Sequence, residues 1–366
     1  MSILFSNCIR WAQRFGGNDN LLIVPLQHIL DMLGGVTLRA LLRFGVFIAL
    51  ILVIIPALIV SIWGWLTPPP SILDSPYEVA VYITSTSQVL MIPLEEYVAG
   101  VVAAEMPASF STAALEAQAI AARTYAAHRA SKFGGAGCSQ HSLADICDDP
   151  AHCQAFLPLE ALQLKWGLVS FNEYHTRIRR AVESTVGQII THRGQVIDPI
   201  FHSTCGGQTE DANKVWSNYF SYLIRVECNF CSHSNRLTET KTFSHADFVA
   251  ALKKQDSTIL VTAQQLAGKS PPVEVKTRSE SGRVLEMMLG SKTLKGTELR
   301  SALGLNSTNF ALEISSSEVR VTTTGYGHGV GLCQYGADGM AKAGYDSRKI
   351  LQYYYQGVQI TSLSGR

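Results

Sequence analysis

Residues 93–132, PLEEYVAGVVAAEMPASFSTAALEAQAIAARTYAAHRASK, read as two helices with one break between them. Pro93 followed by Glu95 and Glu96 suits a first helical turn, where a missing N–H is harmless and acids face the positive end of the helix. That helix runs through Val98 and Val102 and stops near Glu105, because Met106 precedes Pro107 and is driven out of the helical region. Ser111 and Thr112 offer N-caps for a second helix, 113 to about 132, which Gly134, Gly135 and Gly137 close. Its run of alanines lets neighbouring elements approach closely.

Outward from this pair, residues 79–90 alternate and are β-branched, which predicts a strand or hairpin. Residues 138–156 are polar and cysteine-bearing, a loop; 172–184 predict a helix; 186–200 predict strands around a His192-Arg193-Gly194-Gln195 turn. Residues 242–322 read as a helix, a linker and then strands at 273–276, 284–289, 310–314 and 319–321. A glycine-rich loop, 325–336, is followed by two short helices, with Gly357 as a C-cap. Helices and strands come in blocks rather than strict alternation, so the expected fold class is α+β. No internal repeat is evident.

Upstream, residues 44–66 (FGVFIALILVIIPALIVSIWGWL) carry no charge and are long enough at helical rise to cross a bilayer core of roughly 30 Å. Arg10, Arg14, Arg39 and Arg43 precede the run, and no Lys or Arg follows until Arg123. The positive-inside rule therefore predicts a cytoplasmic segment 1–43, a transmembrane helix 44–66, a Pro-rich linker 67–78 and an exported domain 79–366. A cleaved signal peptide is the competing reading, but its apolar region is shorter and nearer the start. The apolar segment 21–33 is given no role by this reading.

Beyond residue 66 the chain has 26 basic and 27 acidic residues, a balance that gives no reason to expect nucleic acid or another polyanion as partner. Seven of the eight cysteines lie there: Cys138, Cys147, Cys153, Cys205, Cys228, Cys231 and Cys333. An odd number leaves at least one unpaired, bound to metal or bridged to another chain.

Glu105 closes a helix in an apolar setting, where desolvation would raise its pKa toward that of a general acid; the plain alternative is a solvent-exposed helix end. Arg123 is a candidate ligand contact, with an ion pair to Glu116 on the same face as the alternative. His141, Cys147 and Cys153, with His152 and Cys138 nearby, are metal-ligand types without a zinc-finger spacing, so a metal and a disulfide both stand open. The loop GYGHGVGLCQYG (325–336) lacks a phosphate-loop lysine; its glycines expose His328, Gln334 and Tyr335. HSTCGG (202–207) is a similar loop, and its Ser203 lacks a nucleophile elbow. Cys228 and Cys231 form a C-x-x-C that suits a structural disulfide, with Cys205 in reach.

Five segments in order, IPLEEYVAGVVAAEMP, EAQAIAARTYA, HSLADICDDPAHCQAF, IFHSTCGGQTEDANKVW and GYGHGVGLCQYGADGMAKAGYD, resemble the stage II sporulation protein D (SpoIID) family, which shares its domain with the amidase-enhancer LytB group. The resemblance implies helical and β subdomains flanking a glycan-binding cleft, preceded by one transmembrane helix. It implies a lytic transglycosylase that cuts MurNAc–GlcNAc bonds of peptide-stripped peptidoglycan during forespore engulfment, beside the amidase SpoIIP and the membrane protein SpoIIM. The family's catalytic acid falls on Glu105. Its zinc ligands, in members that bind zinc, fall on His141, Cys147 and Cys153, with His152 or solvent as a fourth. Tyr97, Arg123, Tyr125, Ser203, Thr204, His328, Gln334 and Tyr335 are the expected substrate contacts. The alternatives are a non-catalytic glycan-binding amidase enhancer, and a muramidase using Glu210 or Asp211 as a second carboxylate.

Overall fold

The computed structural model describes residues 38–66, 75–216 and 218–363. The chain divides into two compact units, Met1–Ser71 and Ile72–Arg366. In the first, helix α1 (Leu38–Leu66) runs for 29 residues through Pro56. Its described side chains, 43–59, are exposed, with Phe44, Phe47, Leu52 and Val53 each more than half open. Among the described residues no helix is long and apolar enough to cross a membrane; the side chains described for α1 end at Ile59, whereas the expected span continues to Leu66. Residues 1–37, including the apolar 21–33 segment, and linker residues 67–74 lie outside the described residues.

The second unit opens with a hairpin, β1 (Glu78–Ile83) and β2 (Gln88–Pro93), turned by Ser87 at φ 55°. Helices α2 (Leu94–Glu105) and α3 (Thr112–Arg129) follow as expected, and Met106 is extended at φ −117°, ψ 146°. The cysteine-bearing loop contains a short strand, β3 (Ile146–Cys147), which pairs parallel with β1. Helix α4 (Leu159–Glu183) starts thirteen residues before the expected one and is broken at Gly167, whose φ of 65° is left-handed. Next come β4 (Gln188–His192), β5 (Gln195–Val196), β6 (Phe201–His202) and α5 (Ala212–Val215).

A smaller lobe then forms from β7 (Thr238–Phe243), α6 (His245–Gln255), α7 (Ala263–Leu266), β8 (Val273–Arg278), β9 (Val284–Leu289), β10 (Lys292–Lys295), α8 (Gly296–Ala302), β11 (Phe310–Ile314) and β12 (Val319–Thr324). The chain returns as β13 (Leu332–Cys333), α9 (Gln334–Lys342), α10 (Ser347–Tyr354) and β14 (Gln359–Ser362). The glycine loop thus ends earlier than expected. Gly357, at φ 67°, lies past the α10 cap Tyr355 rather than at it.

The architecture is α+β, with several small sheets: β2-β1-β3, β14-β4-β5, β13-β6, β11-β12-β7 and β10-β9-β8. Two apolar cores hold it. The larger surrounds α3, whose Ala114, Ala117, Ala121 and Ala122 are fully buried, so α2, α4, α9 and α10 pack against a nearly flat surface. The smaller, with Phe248, Leu252, Leu289 and Val321, belongs to the 238–324 lobe. Where that lobe leaves and rejoins the chain, Thr238 pairs with Thr324, and the Gly325 N–H donates to the Leu237 carbonyl at 2.8 Å. Among the ties between the lobe and the larger core, Ser281 donates to buried Glu210 at 2.7 Å, and Arg283 donates to the Cys205 carbonyl at 2.9 Å.

Candidate active site

A cleft of about 730 Å³ opens where the end of α2, the C-terminal part of α3 and the two glycine loops converge. Glu105, the last residue of α2, points into it because the chain turns extended at Met106. Its Oε1 accepts the Ala155 N–H at 3.0 Å. Burial raises its pKa, opposed by that N–H, by a hydrogen bond from Gln334 and by the charge of Lys165. Lys165 is itself lowered by burial, against the pull of Glu105, and donates to the Ala103 carbonyl at 2.8 Å. Among the described residues lining the cleft, Glu105 is the sole carboxylate.

Tyr125, Ser203, His328, Gln334 and Tyr335 line the same cleft. Three expected contacts do not. Arg123 is fully buried and ion-paired with Glu95, its Nε donating to both carboxylate oxygens at 2.8 and 3.1 Å; Glu116 instead accepts from Ser184. Thr204 is fully buried and shares a 2.7 Å hydrogen bond with Ser234. Tyr97 is fully buried with its ring stacked on Phe156 at 5.4 Å. Glu210 and Asp211 are absent from the lining: Glu210 accepts from Ser279 and Ser281, and Asp211 accepts the Arg225 N–H.

Several lining residues carried no signal in the sequence. Gln154 is buried with both amide atoms unpartnered. His202 donates from Nδ1 to the Val330 carbonyl at 3.0 Å, which leaves its buried Nε2 a lone-pair acceptor without a partner. Burial and then neighbouring His328 hold its pKa well below the ordinary value, so it is neutral. Burial, with Arg300 and Arg283, likewise pushes His328 down to about 3. Trp216 and Tyr326 add aromatic faces, and the Arg236 guanidinium lies 5.1 Å over the Tyr326 ring. The wall therefore offers flat rings, a cation and orphaned polar atoms, the mixture that holds a polar, ringed ligand.

The seven described cysteines are free thiols, so the expected C-x-x-C bridge is not formed. They fall into two groups. Cys138, Cys147, His152 and Cys153 place one ligand atom each within 4.8 Å of all the others, and could hold a metal. His152 Nδ1 lies 3.6, 3.3 and 3.3 Å from the sulfurs of Cys138, Cys147 and Cys153. A turn at Asp149, which accepts the His152 and Cys153 N–H groups at 3.1 and 2.7 Å, folds His152 back onto the cysteines. The expected ligand His141 is not in this set; its ring stacks on Tyr82 at 3.6 Å. His152 Nε2 is bonded to Ser139 Oγ at 2.9 Å, an outer-shell partner that would fix the ring.

A family model described as Stage II sporulation protein matches residues 82–192, the segment that holds Glu105 and the Cys/His group. Stage II sporulation protein D of Bacillus subtilis is 38% identical over 290 residues, covering 78% of this chain and 80% of that relative. The chain belongs to the SpoIID family. The Bacillus amyloliquefaciens SpoIID is 36% identical over 292 residues, 80% of this chain and 81% of its own. A Bacillus subtilis protein named amidase enhancer is 28% identical over 307 residues, 72% of this chain but 40% of that longer protein. The match to the SpoIID relatives is longer than the segment that the family model covers.

Proposed function

We propose that this SpoIID family member is a lytic transglycosylase acting on peptide-stripped peptidoglycan glycan. The observation that carries the reading is the single carboxyl group among the described lining residues, half-buried Glu105, in a cleft lined by aromatic and orphaned polar side chains. Hydrolytic glycosidases use two carboxyl groups, one to protonate the leaving oxygen and one to handle water or attack the sugar. One group suffices when no water enters. Glu105 in its protonated form, favoured by partial burial, gives its proton to the oxygen bridging MurNAc and GlcNAc as the bond from C1 breaks. The C6 hydroxyl of the same MurNAc then bonds to C1, and Glu105, now a carboxylate, takes the hydroxyl proton and is regenerated. The products are a 1,6-anhydro end and a free GlcNAc 4-hydroxyl, and every atom is accounted for.

Cys138, Cys147, His152 and Cys153 would hold zinc, which is tetrahedral with sulfur and nitrogen ligands; its ligand atoms stand about 3.5 Å apart, near the separations here. Zinc there would pin the loop that supplies the Ala155 N–H to Glu105; proton transfer stays with Glu105. Residues 44–66 fit a membrane anchor with the first residues in the cytoplasm and the cleft outside, at the septal membrane that engulfs the forespore. SpoIIP, supplying stripped strands, and SpoIIM fit as partners.

The resemblance to an amidase enhancer supports a second reading, in which the cleft binds glycan without cutting it. Mass spectrometry of peptide-free glycan strands digested with the wild type and with Glu105→Gln separates them. Anhydro ends from the wild type, reduced about 100-fold or more in the variant, are expected of an acid–base catalyst. Bound but uncut strands would favour the enhancer, and reducing ends would point to a muramidase.

A further inference from the structure

The second cysteine group lies under the cleft and away from the proposed chemistry. Cys205 comes from the HSTCGG loop, Cys333 from β13 just before the lining residues Gln334 and Tyr335, and Cys228 and Cys231 from an intervening C-x-x-C turn. All four are almost wholly buried, and their sulfurs lie within 4.8 Å of one another. We propose that Cys205, Cys228, Cys231 and Cys333 form a second metal site, a tetrathiolate holding one zinc ion that ties the two cleft loops together.

Four observations carry the assignment. First, the sulfurs share one focus. Two disulfides would draw them into two separate pairs, each closed to about 2 Å, whereas the Cys205 and Cys231 sulfurs stand 3.5 Å apart, near the edge of a zinc–thiolate tetrahedron. Second, donors are aimed at sulfur: the Cys205 and Gly336 N–H groups each point at the Cys333 sulfur at 3.3 Å, and the Tyr354 hydroxyl lies 3.1 Å from the Cys228 sulfur. Such outer-shell hydrogen bonds stabilise negative thiolate ligands. Third, the buried guanidinium of Arg283, whose Nε has no partner, lies beside the group and offsets the net negative charge of four thiolates on one divalent ion. Fourth, the odd cysteine count resolves. Three cysteines join His152 and four stand together, so no thiol of the described unit is left over.

Zinc entering the site would displace four thiol protons to water, and no oxidant is involved. Burial keeps substrate and reagents from the sulfurs, so the site is structural: it fixes Ser203 on one side of the cleft and Gln334 and Tyr335 on the other.

The test uses the full-length chain, purified in mild detergent without chelator or reductant. Elemental analysis is expected to give two zinc ions per chain, with Cys231→Ser and Cys147→Ser each losing one and the double variant losing both. In the wild type, unfolded and alkylated, Cys205, Cys228, Cys231 and Cys333 should react fully once a chelator is present and without reductant. This measurement does not depend on a variant folding. Peptide mapping that finds these four cysteines cross-linked in pairs overturns the proposal. So does a zinc content unchanged by Cys231→Ser, or full alkylation of the folded wild type with no metal present. If Cys147→Ser loses nothing while Cys231→Ser loses one ion, only the first metal reading fails.

Discussion

At the scale of single residues, Glu105 binds its proton more tightly folded than unfolded, chiefly because burial penalises the carboxylate. A raised carboxyl pKa makes the native state hold more protons than the unfolded chain, so stability is full below the unfolded value and falls as pH climbs through the folded one. Glu105→Gln cannot ionise. Its Tm should match the wild type at about pH 4 and exceed it at about pH 8, where the wild type carries the buried charge. Equal Tm differences at both pH values would show that folding does not raise the pKa of this carboxyl group. The sequence exposed Glu105 because a proline two residues on ends its helix. It could not expose Gln154 or His202, whose significance is an unpartnered atom that exists only once the chain is folded. The choice of His152 over His141 was hidden for a related reason: ligand spacing says nothing about a turn at Asp149 or about a tyrosine ring that claims the other imidazole.

At the scale of elements, α2 and α3 are locked by Glu95 and Arg123, a pair with almost no solvent access. Removing one member strands a buried charge. Arg123→Met should therefore cost about 3–5 kcal/mol in denaturant unfolding, and Glu95→Leu with Arg123→Met should recover most of that loss. KM for glycan in the folded fraction should not move, since the guanidinium faces Glu95, Gln188 and Val182 rather than the cleft. A raised KM with normal stability would restore the substrate-contact reading. The α2–α3 pair was legible because proline, N-caps and glycines punctuate it. The first half of α4 was not: Leu164, Leu168 and Val169 face solvent around the break at Gly167, so no apolar stripe marks a helix there.

At the scale of the whole molecule, the α+β class followed from the blocks of helix and strand, but the division into two cores did not. Pattern identifies strands without saying which core will bury them. The proposed anchor makes a plain prediction: the full-length chain should sediment with membranes and resist an alkaline carbonate wash, and deleting 44–66 should release it. Recovery of the intact chain in the soluble fraction would sink the anchor. The juxtaposition of Leu237 and Gly325 has a bearing on the order of assembly. The larger core needs partners far apart along the chain, such as Ser111 with Asp338 and β4 with β14. Closing so long a loop costs entropy that native contacts return only afterwards. If the intervening lobe condenses first, its two ends become neighbours, and a tether of more than eighty residues shrinks to a single hydrogen-bonded step. The late-synthesised tail then needs only a short search to find the helices made long before it.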